Sequence, residues 1–307
     1  KQKIINMKNI IRIATRNSPL ALKQANMAKE LLMPSVHCEI VPMTSSGDTM
    51  SEKGFKEHGG KGLFLKELEE SLLENKCDIA IHSLKDVPAI IDSKFNIVSI
   101  MQRENAMDVL VSNKYKSIAD MPKDSKIGTS SPRRIAMLKS ISQGFKIIDI
   151  RGNIQTRLKK MKEEKMDGII LAAAGLHRMD LKDQINEYFP VNRFVPSAGQ
   201  GILCVEYKKN NRYMENLLSK HIINNVQKCA EAERAFIELM DGDCMSPIGV
   251  HATIMNGDMK INAYVSSLDG ARHIKTEYKT KVENNINPGK HLAQVFIEQG
   301  AKKLLEK

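Results

Sequence analysis

Two residues of this sequence could make or stabilise a bond at a reacting centre. Asp86 lies in HSLKDVP, residues 82–88, just past a strand-like run, and Cys244 lies in DGDCMSPIG, just past the expected end of a helix near Gly242. A carboxylate amid positive charge suits stabilisation of a cationic intermediate or the shuttling of a proton; the same pattern also fits a turn-forming Asp paired with a lysine. A thiolate in a loop can act as a nucleophile or a covalent tether, whereas a lone cysteine inside an element is ordinarily a small core hydrophobe. Cys38, Cys77, Cys204 and Cys229 keep that second reading, and His82 reads as a satisfied structural residue rather than a base.

The cations are patterned. Of 12 arginines, seven (Arg103, Arg133, Arg134, Arg151, Arg157, Arg178 and Arg193) fall between positions 103 and 193, while the lysines are spread along the chain. Spread lysines usually mark solvated faces; guanidinium groups have the planar fork that grips carboxylate or phosphate in two places. Two stretches share one design. A strand-like run leads into Thr15-Arg16-Asn17-Ser18-Pro19, and another into Thr129-Ser130-Ser131-Pro132-Arg133-Arg134. Ser before Pro reads as N-cap and first helical residue, which leaves free N–H groups and a positive dipole end beside the arginines. One such start is ordinarily just a capped helix. Two copies with clustered arginine point to an anion site at the carboxyl edge of an α/β sheet. A looser third copy runs into Arg151-Gly152-Asn153, with Asn153 as cap and Arg157 one turn on, and Arg178 follows the small-residue run 172–175.

GGKGLF, residues 59–64, fails as a phosphate loop because Lys61 is followed by Gly62 instead of Ser or Thr. The Gly-rich, charged stretch 47–62 reads instead as a mobile lid.

These residues need an α/β scaffold. The first half alternates strands near 10–14, 39–44 and 78–82 with helices over 19–32 and 63–74. A second unit has strands near 126, 147–150 and 168–172, with helices starting at Pro132 and Ile154. Residues 94–111 read as an apolar crossing with one charged interruption, Arg103-Glu104, and 195–207 as a strand returning to the first unit. Beyond residue 222 the order becomes helix (226–240), hairpin strands (248–254 and 260–265) with turns at Asn256-Gly257-Asp258 and Asp269-Gly270, and a helix over 288–305.

Composition sets the outer limits. The chain has 307 residues, 42% hydrophobic and 27% charged, enough for two or three domains with buried cores. The N-terminal residues lack a secretory pattern, and no apolar run has the roughly 18 residues of a membrane span. Five scattered cysteines without C-x-x-C spacing argue against a disulfide framework or a zinc site and fit a reducing cytoplasm. The net charge of +11 admits nucleic acid, an acidic membrane or a polyanionic small molecule. With no tryptophan and 5% aromatics, base-stacking platforms are scarce, which disfavours nucleic acid. Residues 1–6 read as an alternative start or a remnant preceding Met7.

In order along the chain, RIATRNSPLALKQA, GGKGLFLKELE, HSLKDVP, GTSSPRR, the RGN stretch to Arg157, AAAGLHR, PSAGQG and AERAFIELMDGDCMSPIG resemble the successive motifs of the porphobilinogen deaminase family, over roughly residues 8–255. The resemblance implies three domains: an α/β lobe of residues 8–101 with 202–222, an arginine-rich α/β lobe of 102–201, and a small α+β domain of 223–307 with a three-stranded antiparallel sheet. The first two resemble periplasmic binding proteins, with the site in the cleft between them. It further implies a dipyrromethane cofactor joined by a thioether to Cys244, and the condensation of four porphobilinogen molecules into a linear tetrapyrrole with loss of ammonia. Asp86 takes the position of the catalytic carboxylate, holding pyrrole N–H groups and offsetting the charge of the azafulvene. Arg16, Arg133, Arg134, Arg151, Arg157 and Arg178 match positions that bind acetate and propionate groups; Ser18, Lys85, Thr129, Ser131 and Gln200 match supporting contacts, and Lys61 a lid residue. The resemblance also implies a cytoplasmic monomer that binds neither nucleic acid, membrane nor metal. Three departures stand out: Glu57-His58 before GGKG, Asp243 before the cysteine, and Ser246 before the proline. The competing reading of the same residues is a non-catalytic two-lobed receptor for small organic anions.

Overall fold

The computed structural model describes residues 10–44, 65–243, 245–282 and 287–306. Strand β1 (Ile10–Arg16) leads into α1 (Pro19–Leu32), whose start is set by Pro19 and by the Ser18 hydroxyl, which accepts from the Ala21 N–H at 3.3 Å. Next come β2 (His37–Met43), α2 (Lys66–Leu73), β3 (Ile79–Ser83), a short 3-10 turn (Leu84–Asp86) and β4 (Phe95–Val98). The second lobe comprises β5 (Asp108–Val111), β6 (Lys126–Gly128), α3 (Pro132–Ile141), β7 (Lys146–Ile148), α4 (Ile154–Glu163), β8 (Gly168–Ala172), α5 (Ala173–Arg178) and β9 (Glu187–Tyr188). The chain then runs through β10 (Leu203–Lys208), α6 (Arg212–Ser219) and α7 (Asn224–Leu239). It ends with β11 (Ile248–Met255), β12 (Asp258–Ser266), β13 (His273–Lys281), α8 (Pro288–Glu298) and α9 (Ala301–Leu305).

The two lobes repeat one topology. The first sheet has the order β2-β1-β3-β10-β4, and the second β7-β6-β8-β5-β9. In each, three strands run parallel, and the fourth position is an antiparallel strand that arrives from the other lobe: β10 in the first, β5 in the second. The chain therefore crosses between lobes twice, near residues 99–107 and 189–202. The cores follow from this. Ile11, Ile13, Ile79, Ile81 and Val205 pack under α1 in the first lobe; Leu110, Ile127, Leu138 and Ile170 form one side of the second sheet, and Val109, Ile169, Leu171 and Leu176 the other. Parallel strands covered on both faces are mostly apolar, as β8 is; β3 carries one buried polar group, His82, which pairs with Glu206 of β10 at 2.9 Å. The third unit is the sheet β11-β12-β13, covered by α7 and α8, with Phe236 and Phe296 edge-to-face in its core.

The architecture is the expected one: two α/β lobes and a small domain with a three-stranded antiparallel sheet. Helix starts at Pro19, Pro132 and Ile154 fall where the capping patterns put them. Three details differ. The expected helix over 288–305 is two helices, because Gly300 adopts φ +85° and its N–H caps the Ile297 carbonyl, ending α8 in the usual left-handed way. The strand expected to reach Ile150 ends at Ile148. The stretch 94–111 holds two strands, β4 and β5, and contains a second charge, the fully buried Asp108, that the apolar reading passed over.

One buried pair fastens the third domain to both crossings. Glu233 on α7 accepts from Arg103 Nη1 at 2.5 Å and from the Gly199 and Ala252 N–H groups at 2.6 and 2.7 Å, while Arg103 also donates to the Gln200 carbonyl. Glu233→Gln leaves the Arg103 cation buried without its counter-ion. We expect a loss of about 3–5 kcal/mol in urea unfolding, the usual cost of breaking a buried pair on one side; an unchanged midpoint would show that this pair does not hold the domains together.

Candidate active site

The site is assembled from chain segments that leave the carboxyl ends of parallel strands, where open α/β sheets present their loops. Arg16, Asn17 and Ser18 follow β1; Ser83, Lys85 and Asp86 follow β3; Arg134 lies on α3 beyond β6; Arg151 to Arg157 follow β7; Ala172 ends β8. Together they line one cavity of about 760 Å³ between the lobes. Its described lining holds five cations (Arg16, Lys85, Arg134, Arg151 and Arg157) and one carboxylate, Asp86. A second cavity, of about 230 Å³, lies against the third domain and is lined by Asp243, Ser246 and Ile248 from that domain, by Ser131 and Arg133, and again by Lys85 and Asp86. The Lys85-Asp86 turn is thus a wall common to both.

Local packing fixes that turn. Leu84 and Val87 are buried with Val226 and Ala230 of α7, each contributing roughly 1.5–3 kcal/mol of burial. Leu84 N–H bonds the Ile202 carbonyl, extending the β3–β10 ladder past its last pair, and the Ser83 hydroxyl accepts from Gln24 of α1 at 2.9 Å. From the same crossing as Ile202, Gly199, at φ +70°, lies so close that an added Cβ would come within 2.9 Å of the Lys85 backbone nitrogen. The glycine in PSAGQG therefore serves close approach to the turn.

Charge is arranged in two layers. Beneath the cavity, Asp108 accepts from Arg133 Nη1 at 2.6 Å, from Arg134 Nη2 at 2.7 Å and Nε at 3.0 Å, and from Gln200 Nε2 at 3.0 Å. Burial alone would raise the Asp108 pKa, but the two guanidinium groups outweigh it and hold the carboxyl well below the ordinary range. At the cavity wall the balance is reversed. Burial, and then repulsion from Arg134, pushes Arg157 down to about 10, with Asp86 pulling the other way. Lys85, half-buried as a side chain, is lowered to about 8 by desolvation of its ammonium, opposed by Asp86 and reinforced by Arg134. Arginine keeps its proton at neutral pH, so its depressed pKa measures unfavourable energy that a bound anion would relieve.

The residues singled out from sequence divide into three groups. Arg16, Ser18, Lys85, Asp86, Arg134, Arg151 and Arg157 line the larger cavity; Ser131 and Arg133 line the smaller one, together with Lys85 and Asp86. Thr129, Arg178 and Gln200 line neither. Thr129 is buried and its hydroxyl accepts from the Ser131 N–H; Gln200 is buried against Asp108 and the Ala106 carbonyl; Arg178 donates to the Gly201 carbonyl at 2.7 Å. Ser131 stands at the N-cap of α3 but, unlike Ser18 and Asn153, its side chain makes no capping bond. Lys61, the stretch 47–62 and Cys244 lie outside the described residues. Cys38, Cys77, Cys204 and Cys229 are all buried, and burial raises each of their thiol pKa values. Sequence reasoning missed Asp108 and the lining residues Asn17, Thr44 and Thr156. Only Asp108 left a signal, as an acid at the head of the run Val109–Val111.

Fold and site define a three-domain protein whose two α/β lobes enclose a strongly cationic cavity, with a third domain brought to the same acidic turn. A family model described as "Porphobilinogen deaminase, dipyromethane cofactor binding domain" matches residues 11–216, and one described as "Porphobilinogen deaminase, C-terminal domain" matches residues 227–298. The chain is 42% identical over 288 residues to the porphobilinogen deaminase of Clostridium acetobutylicum, covering 93% of this chain and 98% of that one. It is also 42% identical over 303 residues to that of Francisella philomiragia, covering 98% and 100%. Among solved structures it is similar to the VFT2 domain of Bordetella pertussis BvgS, with a TM-score of 0.44 and 12% identity over 74% of this chain and 91% of that one. The chain belongs to the porphobilinogen deaminase family, and residues 11–216 match that family's dipyrromethane cofactor-binding domain. The receptor alternative receives no support from these relatives.

The donor set fits that cofactor. Each pyrrole ring carries two carboxylates, and the cavity offers five cations with one competing carboxylate. Nearby, Arg178 Nε is buried with no hydrogen-bond partner among the described residues, and desolvation pushes Arg178 down to about 10. Lys85 gives a test of this electrostatics. Anionic ligands favour its charged form, so carboxylate binding should take up protons near pH 8 and weaken as pH rises past 8, when the free protein loses the Lys85 proton that the complex retains. Calorimetry in buffers of different ionisation enthalpy reads this uptake directly; an uptake that survives Lys85→Met would assign it elsewhere.

Proposed function

We propose that this chain condenses four porphobilinogen molecules head to tail, releasing one ammonia per addition, into a linear tetrapyrrole held through dipyrromethane on Cys244. The observation that carries this reading is the Lys85-Asp86 turn, the common wall of the cationic cavity and of the smaller cavity bordered by Asp243 and Ser246, the neighbours of Cys244. The other four cysteines are buried and held toward the thiol form, which makes them poor attachment points.

Dipyrromethane, when bound, supplies the pyrrole end on which the product is extended. The chain's own residues do the rest. Arg16, Arg134, Arg151 and Arg157 hold acetate and propionate groups, with Ser18 and Lys85 beside them; Arg133, Thr129, Ser131 and Gln200 support that wall from beneath or from the smaller cavity, and Arg178 adds a donor at its margin. Asp86 is exposed into the cleft. Its carboxylate accepts pyrrole N–H groups and offsets the positive charge that develops on the incoming ring as its C–N bond breaks. The departing nitrogen leaves as ammonia, a new carbon–carbon bond replaces the C–N bond, and the attacking carbon gives up a proton, so no oxidant or reductant is needed. Two α/β lobes joined by two crossings, with an antiparallel third domain, divide near residues 101, 201 and 222. The protein works as a cytoplasmic monomer without nucleic acid, and among the described residues no helix is long and apolar enough to cross a membrane.

Asp86→Asn is nearly isosteric and exposed, so it should fold normally while kcat falls by about 10²–10⁴-fold, the range for loss of a positioned acid–base group; undiminished turnover in single-turnover assays would remove the carboxylate from the chemistry. Cys244→Ser should fold and show, by denaturing intact mass, the bare chain in place of the dipyrrole adduct. A variant that still carries the adduct would place the attachment on another residue.

A further inference from the structure

A third cavity, of about 350 Å³, lies on the far side of the Asp86 turn, between β4 of the first lobe and the helices α7 and α8. Its chemistry differs from that of the main cleft. The described lining contains two cations, Arg234 and Lys290, and two acids, Glu231 and Glu238, so its charge sums to zero. The walls are mixed: Leu84, Phe95 and Ile97 form an apolar strip, and Asn96, Ser99, Gln227 and Asn287 are polar. Arg234 is the inner group: its Nη2 donates to the Ala89 carbonyl at 2.7 Å, which fixes the guanidinium, while its Nη1 is buried and has no hydrogen-bond partner among the described residues. Glu231, Glu238 and Lys290 are exposed at the rim.

We propose that this cavity binds a short amphoteric carboxylate, with its carboxylate on Arg234, its aliphatic stem along the strip of Leu84, Phe95 and Ile97, and its ammonium group at the rim acid Glu238. A buried guanidinium fixed at one nitrogen and unmet at the other is a preorganised half of a carboxylate fork. The rim acid supplies the complementary site for an ammonium group, and the neutral lining gives no advantage to the polyanions that the main cleft attracts. The volume lies at the lower end of the range for small-molecule sites. Arg234 also lines the smaller cavity beside Lys85 and Asp86, and the carbonyl it holds is three residues beyond Asp86. A ligand on Nη1 therefore meets a side chain whose other nitrogen holds the segment that follows the Asp86 turn.

The test is calorimetric titration of the cofactor-loaded protein with γ-aminobutyrate, with succinate as the dianionic comparison. Saturable γ-aminobutyrate binding is expected, weakened on the order of tenfold by Arg234→Gln, the loss of one charged hydrogen-bonding partner, and unchanged by Arg151→Gln in the main cleft. Succinate should show the opposite dependence. Glu238→Gln, an exposed substitution that leaves the fold intact, should also weaken γ-aminobutyrate and spare succinate, so the proposal stays testable should Arg234→Gln unfold. Absence of saturable heat, γ-aminobutyrate binding that follows Arg151, or a soaked crystal showing only water at Arg234 Nη1 would each overturn it.

Discussion

One fully buried carboxylate, Asp108, accepts hydrogen bonds from two arginines and a glutamine amide beneath the floor of the cleft and balances one of the two guanidinium charges. The cations above it depend on that counter-charge. Without Asp108, Arg133 and Arg134 would sit desolvated with backbone carbonyls as their oxygen partners and no counter-charge, beside an Arg157 and a Lys85 that Arg134 already repels. With it, one positive charge of the pair remains, and Arg134 carries it to the cavity wall. That leaves unfavourable electrostatic energy that an anionic ligand can relieve.

Topology turns that energy into a directed site. Because each lobe borrows its fourth strand from the other, the two crossings run beside each other, and Gly199 in one presses on the turn that carries Lys85 and Asp86. Leu84 and Val87 bury against α7, the helix that leads toward Cys244. The Lys85-Asp86 turn is thus braced by both lobes and by the third domain at once. Such bracing suits the proposed role of Asp86, beside a product that lengthens.

Much of this was legible in the residues. Ser18-Pro19, Ser131-Pro132 and Asn153 mark helix starts because backbone N–H groups need acceptors and proline fits the first turn, and the arginines beside them marked the anion edge. The hairpins were legible from Asn256-Gly257 and Asp269-Gly270, whose glycines both have positive φ. What was hidden depends on tertiary partners. Nothing local says that Arg133 turns down onto Asp108 while Arg134 reaches both layers, that Ser131 leaves its cap bond unmade, or that Gln200 lies beneath the cleft wall instead of lining it. The break at Gly300 was visible as a residue but not as a decision, since glycine within an apolar helical pattern is tolerated as often as it terminates.

On the function proposed, fixed guanidinium groups receive the carboxylates of a growing pyrrole chain, and a crystal structure with that chain bound would show whether they do. Acetate and propionate oxygens are expected within hydrogen-bond distance of Arg16, Arg134, Arg151 and Arg157, with a pyrrole nitrogen facing Asp86. Carboxylates that point into bulk water, with those guanidinium groups still paired only within the protein, would rule that role out.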